Sequence, residues 1–272
     1  MLVSFLFWNV NRKPLEERIA RLARTNDLDV LMLAECDTEP DQVLYVLNQL
    51  GTGKYCHPFS EGERIRIFTR FPETSLIDLV NSPLNRLTIR RLLVHGRVDI
   101  LLSVLHFQSR ANWTREDQAL EATVIGREIA RAEDKVLHRK TVLVGDMNMN
   151  PFDPGMVGAH AINGVMTRRL AAMVERTVAG RSYRCFYNPM WSLFGDRTPG
   201  PAGTFFHGAS SPANQYWCMY DQVLVRPELA ETLRRVEILD SDGEASLVTK
   251  HTGRPSKSKA SDHLPILFQL DI

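Results

Sequence analysis

Short apolar runs alternate with amphipathic stretches along most of the chain, a pattern that predicts strands joined by helices. Residues 2–10 read as a buried strand, and Pro14 suits the first turn of a helix that places Leu15, Ile19, Leu22 and Ala23 on one face and ends near Thr25. Val30–Ala34 is a second apolar strand, and Pro40–Leu50 reads as a helix stopped by Gly51. The middle changes character. Residues 64–70, 76–80, 86–94 and 98–106 are strand-like runs set apart by turn residues such as Asn81-Ser82-Pro83 and Gly96. From Thr114 to about Arg131 the pattern is helical again, with Thr114 as N-cap and Asp117 completing an imperfect capping box. Residues 141–144, 220–225 and 264–270 are further strands. Helices follow some strands while a central run of strands stands alone, which predicts packed sheets with outer helices. Residues 177–217 are the least regular part, rich in Gly, Pro and aromatics, and long irregular segments in compact domains are more often functional than idle.

Composition narrows this picture. No linker or repeat divides the 272 residues, so 1–272 is expected to be one α/β domain. The 44% apolar and 24% charged content is that of a globular chain and excludes disordered or fibrous classes. Lys plus Arg (33) against Asp plus Glu (32) leaves a net charge of +1, which argues against a protein that coats nucleic acid through bulk charge but allows a local basic groove. Residues 1–10 have no basic leader and are too short to span a bilayer; no other run reaches about 18 apolar residues, so no membrane span is expected. Cys36, Cys56, Cys185 and Cys218 are scattered, which reads as reduced packing cysteines in a cytoplasmic protein and argues against cysteine-bound zinc.

The chemistry lies at the ends of the strands. Asn9 closes the first strand, Glu35 the second and His106 a later one; Asp146 and Asn148 follow 141–144, Asp221 heads 222–225, and Asp262-His263 precede the last strand. Carboxylates, an amide and two histidines held by sheet packing are what a hard divalent cation and an anionic substrate require, with magnesium or manganese the fitting ions.

Trp8-Asn9-Val10-Asn11, Ala34-Glu35, His106-Phe107-Gln108-Ser109-Arg110, Gly145-Asp146-Met147-Asn148 and Ser261-Asp262-His263-Leu264-Pro265 together resemble the endonuclease/exonuclease/phosphatase superfamily, the group of deoxyribonuclease I-like enzymes. Five motifs occur in the family's order from 9 to 263, and weaker echoes lie at residues 67–72 and at Arg115 and Gln118. The resemblance implies a four-layer α/β/β/α sandwich with two mixed β-sheets packed face to face. It also implies hydrolysis of a phosphate ester by metal-activated water. Glu35 is then the principal ligand of Mg2+ (or Mn2+), supported by Asn9 and Asp262. Asp146 orients or deprotonates the attacking water, and Asn148 holds it or a phosphate oxygen. His263, held by Asp221, contacts the scissile phosphate as base or transition-state stabiliser, and His106 binds another phosphate oxygen. Which of Asp146 and His263 takes the proton stays open. Met147 replaces the usual aromatic, and Asn11 stands where relatives often carry Gly or His, so Asn11 and Arg12 are placed to alter substrate choice.

Each residue alone has a plainer reading as a turn former, helix cap or satisfied histidine; their joint order and strand context favour an enzyme. Arg110 reads equally as a phosphate contact or a surface arginine. Lys250, His251, Arg254, Lys257 and Lys259 form a basic loop ahead of Asp262, read evenly as a solvated loop or a phosphate-backbone contact. Trp191, Phe194, Phe205, Phe206, Tyr216 and Trp217 are expected mostly to pack their own segment. The leading function is a nuclease acting on DNA or RNA. The alternative is a phosphatase or phosphodiesterase on a small or lipid phosphoester, with a catalytically dead binding module third. Oligomeric state is not encoded in any motif.

Overall fold

In the computed structural model, the structure describes residues 1–59, 64–81, 86–94, 96, 99–109, 113–173, 175–210 and 212–272. Val98, the 82–83 part of the predicted turn and Arg110 lie outside the described residues. The elements in chain order are β1 (Leu2–Asn9), α1 (Glu16–Thr25), β2 (Val30–Ala34), α2 (Pro40–Leu50), β3 (Ile65–Thr69), β4 (Leu76–Asn81), β5 (Leu87–Leu92), β6 (Ile100–His106), α3 (Arg115–Val136) and β7 (Thr141–Asp146). They continue with α4 (Pro154–Val157), β8 (Gly164–Val165), α5 (Arg168–Ala171), β9 (Glu175–Val178), β10 (Arg181–Arg184), β11 (Phe186–Tyr187), β12 (Phe205–Phe206), β13 (Trp217–Cys218), β14 (Asp221–Val225), α6 (Pro227–Ala230), β15 (Leu233–Ile238) and β16 (Ile266–Asp271).

Two large mixed sheets carry the fold: a five-stranded one ordered β15-β16-β1-β2-β3 and a seven-stranded one ordered β4-β5-β6-β7-β14-β11-β8. β1 is paired parallel to β2 and antiparallel to β16; β6 is paired parallel to β7, which is antiparallel to β14. The sheets lie face to face, β1 against β7 and β14, and β3 against β6. Alternation of side chains across each strand separates the layers. Leu102, Val104, Val142, Val144, Val223 and Val225 join the five-stranded sheet in one core, while Leu101, Leu105, Leu143 and Leu224 pack with Ile125 and Ile129 of α3. α1 and α2 pack on each other and, through Ile19, Leu22, Val43 and Leu47, join the core of the five-stranded sheet. The result is the expected four-layer α/β/β/α sandwich.

Local chemistry sets the boundaries. α2 begins with Pro40 at its first turn and stops at Gly51. At α3 the capping box is complete: the Asp117 backbone N–H donates to Thr114 Oγ1 (3.1 Å) and the Thr114 N–H to Asp117 Oδ2 (2.9 Å). The helix runs past Arg131 to Val136 and ends where Leu137 turns left-handed (φ 61°). It continues because Glu133, fully buried, is held by the buried Arg226: Nε to Oε1 at 2.7 Å and Nη2 to Oε2 at 3.3 Å. Thr141 Oγ1 donates to the same Oε1 (2.7 Å), and the guanidinium lies over the Phe186 ring at 3.8 Å. Among the described residues no helix is long and apolar enough to cross a membrane.

Glu133→Ala strands the Arg226 guanidinium in the interior, and removing one partner of a buried pair costs about 3–5 kcal/mol. Urea unfolding of the variant is expected to show a loss of that size; a loss below about 1 kcal/mol overturns the assignment of this pair as the lock between α3 and the seven-stranded sheet.

Candidate active site

Strand direction gathers the polar residues. β1 and β2 run parallel and end together, so Asn9 and Glu35 emerge at one edge of their sheet; β6 and β7 do the same for His106 and Asp146, which are direct register partners. β14 starts at that edge because it is antiparallel, setting Asp221 opposite Asp146. Asp262 and His263 enter just ahead of β16 from the other sheet. Gly145 permits the closeness of β6 and β7: a Cβ there would fall 1.8 Å from the Leu105 carbonyl oxygen. Asn11 (φ 50°), Arg12 (57°), Glu35 (49°) and Asn148 (46°) all adopt the left-handed conformation, which costs free energy for residues other than glycine and concentrates at functional sites.

The site is a mesh centred on two carboxylates. Asn9 Nδ2 donates to Asp146 Oδ2 (3.0 Å) and to Glu35 Oε1 (3.4 Å). His106 Nε2 lies 3.2 Å from Glu35 Oε1 and 3.8 Å from Asp146 Oδ2. Asp146 Oδ1 accepts the Asn148 backbone N–H (2.9 Å), and Asn148 Nδ2 donates to the Phe107 carbonyl (2.9 Å). Gln118 of α3 donates to the carbonyls of Asn148 and Gln108, both at 3.1 Å, which gives the weak sequence echo a bracing role. Asn11 ties the supporting residues together: its N–H reaches Asn9 Oδ1 (3.0 Å) and its Nδ2 reaches Asp262 Oδ1 (2.8 Å). On the other flank His263 Nδ1 meets Asp221 Oδ2 at 2.8 Å, with Nε2 3.9 Å from Asp146 Oδ2. The Trp8 indole N–H donates to the His263 carbonyl (2.9 Å), fixing its backbone.

The electrostatics follow from these contacts. The hydrogen bond to His106, opposed by partial burial and helped by the charges of His106 and His263, holds the Glu35 carboxyl down at about 2. Burial raises the Asp221 carboxyl, while its bond to His263 draws it back. Burial alone pushes His263 down, but the charges of Asp221 and Asp146 outweigh it and lift the imidazole to about 10. The pairing therefore favours the charged imidazole, with Nδ1 turned to Asp221.

Two groupings present themselves as cation ligands. Asp146, Asp221 and His263 offer ligand atoms within 4.8 Å of one another. There, however, Asp221 and His263 Nδ1 satisfy each other. The Glu35 and Asp146 carboxylates share the Asn9 and His106 donors and face the same space, an oxygen-rich set that fits a hard divalent ion better.

A cleft of about 800 Å³ opens over these groups. Its rim carries residues the sequence pattern did not single out as site residues, Arg64, Arg66 and Arg86, besides Arg12, whose Nε is 3.8 Å from Glu35 Oε2. Only strand register, a long-range property, reveals them. The basic loop is laid down on aromatic rings, with Arg254 over Phe206 (3.8 Å) and Lys257 over Phe205 (5.3 Å); Lys13 donates to the Lys257 and Ala260 carbonyls. Lys250, His251 and Lys259 are exposed. Phe205 packs on His263 (4.8 Å) and Tyr220 (5.4 Å), whereas Phe206 packs with Tyr216 and Trp217, and Trp191 and Phe194 pack with Phe152.

A family model described as the Endonuclease/Exonuclease/phosphatase family matches residues 6–263. No curated protein sequence matches the chain. Among solved structures, truncated Caenorhabditis elegans TDP2 is similar at 14% identity with a TM-score of 0.58, covering 100% of this chain and 98% of that one. An AP endonuclease from Archaeoglobus fulgidus is similar at 15% identity and TM-score 0.57, covering 99% and 100%. A D. rerio TDP2 complexed with single strand DNA product is similar at 16% identity and TM-score 0.56, covering 100% and 99%.

Because the folded value of His263 is raised above its ordinary 6.5, the pair contributes stability that is full below about pH 6.5 and is lost as pH rises toward about 10. Asp221→Asn removes the charge that holds the proton. An NMR titration of the metal-free protein is expected to find His263 protonated past neutrality in the wild type and titrating about 1–3 units lower in the variant; equal midpoints overturn the pairing.

Proposed function

The chain belongs to the endonuclease/exonuclease/phosphatase family, and on that premise we propose that it is a divalent-metal-dependent phosphodiester hydrolase acting on nucleic acid. The observation that carries the reading is the convergence of Glu35 and Asp146 from opposite sheets, bridged by Asn9, with a protonated histidine on one flank. Residues 1–272 are taken to act as one catalytic domain, since groups from position 9 to position 263 meet in it.

Glu35 would be the principal holder of Mg2+, with Mn2+ as an equivalent. Asn9 and Asp262 support it from behind: the oxygen Asn9 offers accepts from Asn11, and so does one carboxylate oxygen of Asp262. When bound, the ion would supply Lewis acidity that offsets charge on phosphoryl oxygens and lowers the pKa of water. The remaining work falls to this chain's own side chains. Asp146, oriented through Oδ1 by the Asn148 N–H, aligns the attacking water and takes its proton through Oδ2. His263, its proton affinity raised by Asp221 at Nδ1, is assigned the donor role, from Nε2 to a phosphate oxygen, rather than the base. His106 and Asn148 complete the donors around the phosphate. Donors aimed at developing charge are worth about 10²–10³-fold each in rate.

A single-stranded substrate ranks first, because the D. rerio TDP2 structure carries a single-stranded DNA product and the cleft is open and rimmed by arginines. A second reading, a small or lipid phosphoester, draws on Phe205 beside His263 and on the net charge of +1. We place the protein in the cytoplasm, the setting that its scattered cysteine spacing suits.

Purified protein is expected to cleave single-stranded DNA with magnesium or manganese and to stop in EDTA. Asp146→Asn and His263→Ala are each expected to lower kcat by about 10²–10⁴-fold. Cleavage undiminished in EDTA or in Asp146→Asn overturns the mechanism. Activity confined to a lipid or small ester in the same panel moves the assignment to the second reading.

A further inference from the structure

The two sheets are graded across the cleft in the same sense. In the seven-stranded sheet the site-edge residues run Asp221, Asp146, His106 and then Arg86, because the His106 N–H donates to the Arg86 carbonyl (2.9 Å) one strand further out. In the five-stranded sheet Ala34 pairs with Ile65, so the next step of that antiparallel register sets Arg64 opposite Glu35, with Arg66 two residues along the same strand. β3 lies against β6, so the arginines of both sheets meet on one flank.

Several arginines elsewhere in this protein are answered by carboxylates: Arg18 and Arg21 by Asp242, Arg70 by Asp27 and Asp29, Arg90 by Asp78, Arg91 by Asp99, and Arg226 by Glu133. Among the described residues none pairs with Arg64, Arg66 or Arg86 within 4 Å, although Asp37 and Glu39 line the same cleft. Among the described residues the Arg66 guanidinium donates to the Thr38 carbonyl. Burial pushes the Arg86 guanidinium down and the neighbouring charge of Arg64 pushes it further, with the Glu121 carboxylate opposing them only in part. Like charges held together beside an open cleft are a cost that a bound anion removes.

We propose that Arg64, Arg66 and Arg86 form a subsite for a backbone phosphate of a single-stranded nucleic acid, distinct from the scissile phosphate. Two strand spacings, about 10 Å, separate the Arg86 and Asp146 backbones, so the arginine flank takes a phosphate other than the one being cut. The subsite makes the substrate a polyanion rather than an isolated ester. It rests on the nuclease reading for its substrate class, but its test does not depend on turnover.

The test is the binding of fluorescein-labelled oligothymidylate to the full chain in EDTA, followed by anisotropy across a salt series. Each phosphate contact contributes about 0.7 to the slope of log Kd against log salt for a single strand. Arg64→Ala and Arg86→Ala are each expected to lower the slope by about that amount and to weaken binding about 3- to 10-fold at low salt. Arg86→Lys keeps the charge and retains most of the slope, which separates lost charge from lost folding. Arg131→Ala, on exposed α3 and paired with Glu128, leaves binding unchanged. A slope unaltered in both alanine variants, or binding only to phosphatidylserine vesicles, overturns the subsite. Wild-type protein that binds the strand with this slope, yet does not cleave it with magnesium, leaves the subsite standing and removes the nuclease reading instead.

Discussion

Glu35 and Asp146 reach one point from two different sheets, and carboxylates brought together repel unless something answers their charge. Here the Asn9 amide donates to both, and His106 stands within reach of both. The arrangement pre-positions oxygen donors at a cost that a divalent cation would repay, which is the usual logic of hard-ion sites. Everything around it serves that meeting: Asn11 ties the supports, Asn148 fixes the outer oxygen of Asp146, and Gln118 braces the loop that carries Asn148. The left-handed backbone at Asn11, Arg12, Glu35 and Asn148 shows that the chain accepts strain there, and a packed sandwich on either side is what can hold it.

Proton economy divides the two flanks. The Asp221–His263 pair is buried and keeps one proton on the imidazole, whereas Glu35 stays ionised beside an open cleft. In the proposed mechanism a cationic donor and an anionic ligand set would then work at the same pH without exchanging roles. Phe205, packed on the His263 ring, shields that flank from water and strengthens the pairing.

Much of this was legible in the sequence because the site residues sit at strand ends, where an apolar run meets a polar side chain within a few residues. Val30–Ala34, Pro40–Leu50 and the Thr114 cap follow local rules and match the structure directly. The extension of α3 to Val136 was hidden by Glu133, a charged residue whose burial depends on Arg226 some 93 positions away. The short strands β8, β11, β12 and β13 span two residues each and have no periodicity to detect. Arg64 and Arg86 read as strand boundaries because nothing local distinguishes a solvated arginine from one that register sets beside Glu35 or His106. The basic loop was balanced between two readings; in the fold it is fastened by Lys13 and by two aromatic rings.

The Asn9–Asp146 hydrogen bond crosses from one sheet to the other, and that has a mechanical meaning. His106 to Glu35 and His263 to Asp221 span the same gap, whereas the apolar faces between the sheets tolerate small sliding because dispersion contacts have no preferred direction. A 3.0 Å directional bond tolerates far less. The site is thus a vernier between the two halves of the sandwich, reading their alignment more finely than the core enforces it. Slippage too slight to melt the protein would still put the two halves of the chemistry out of step.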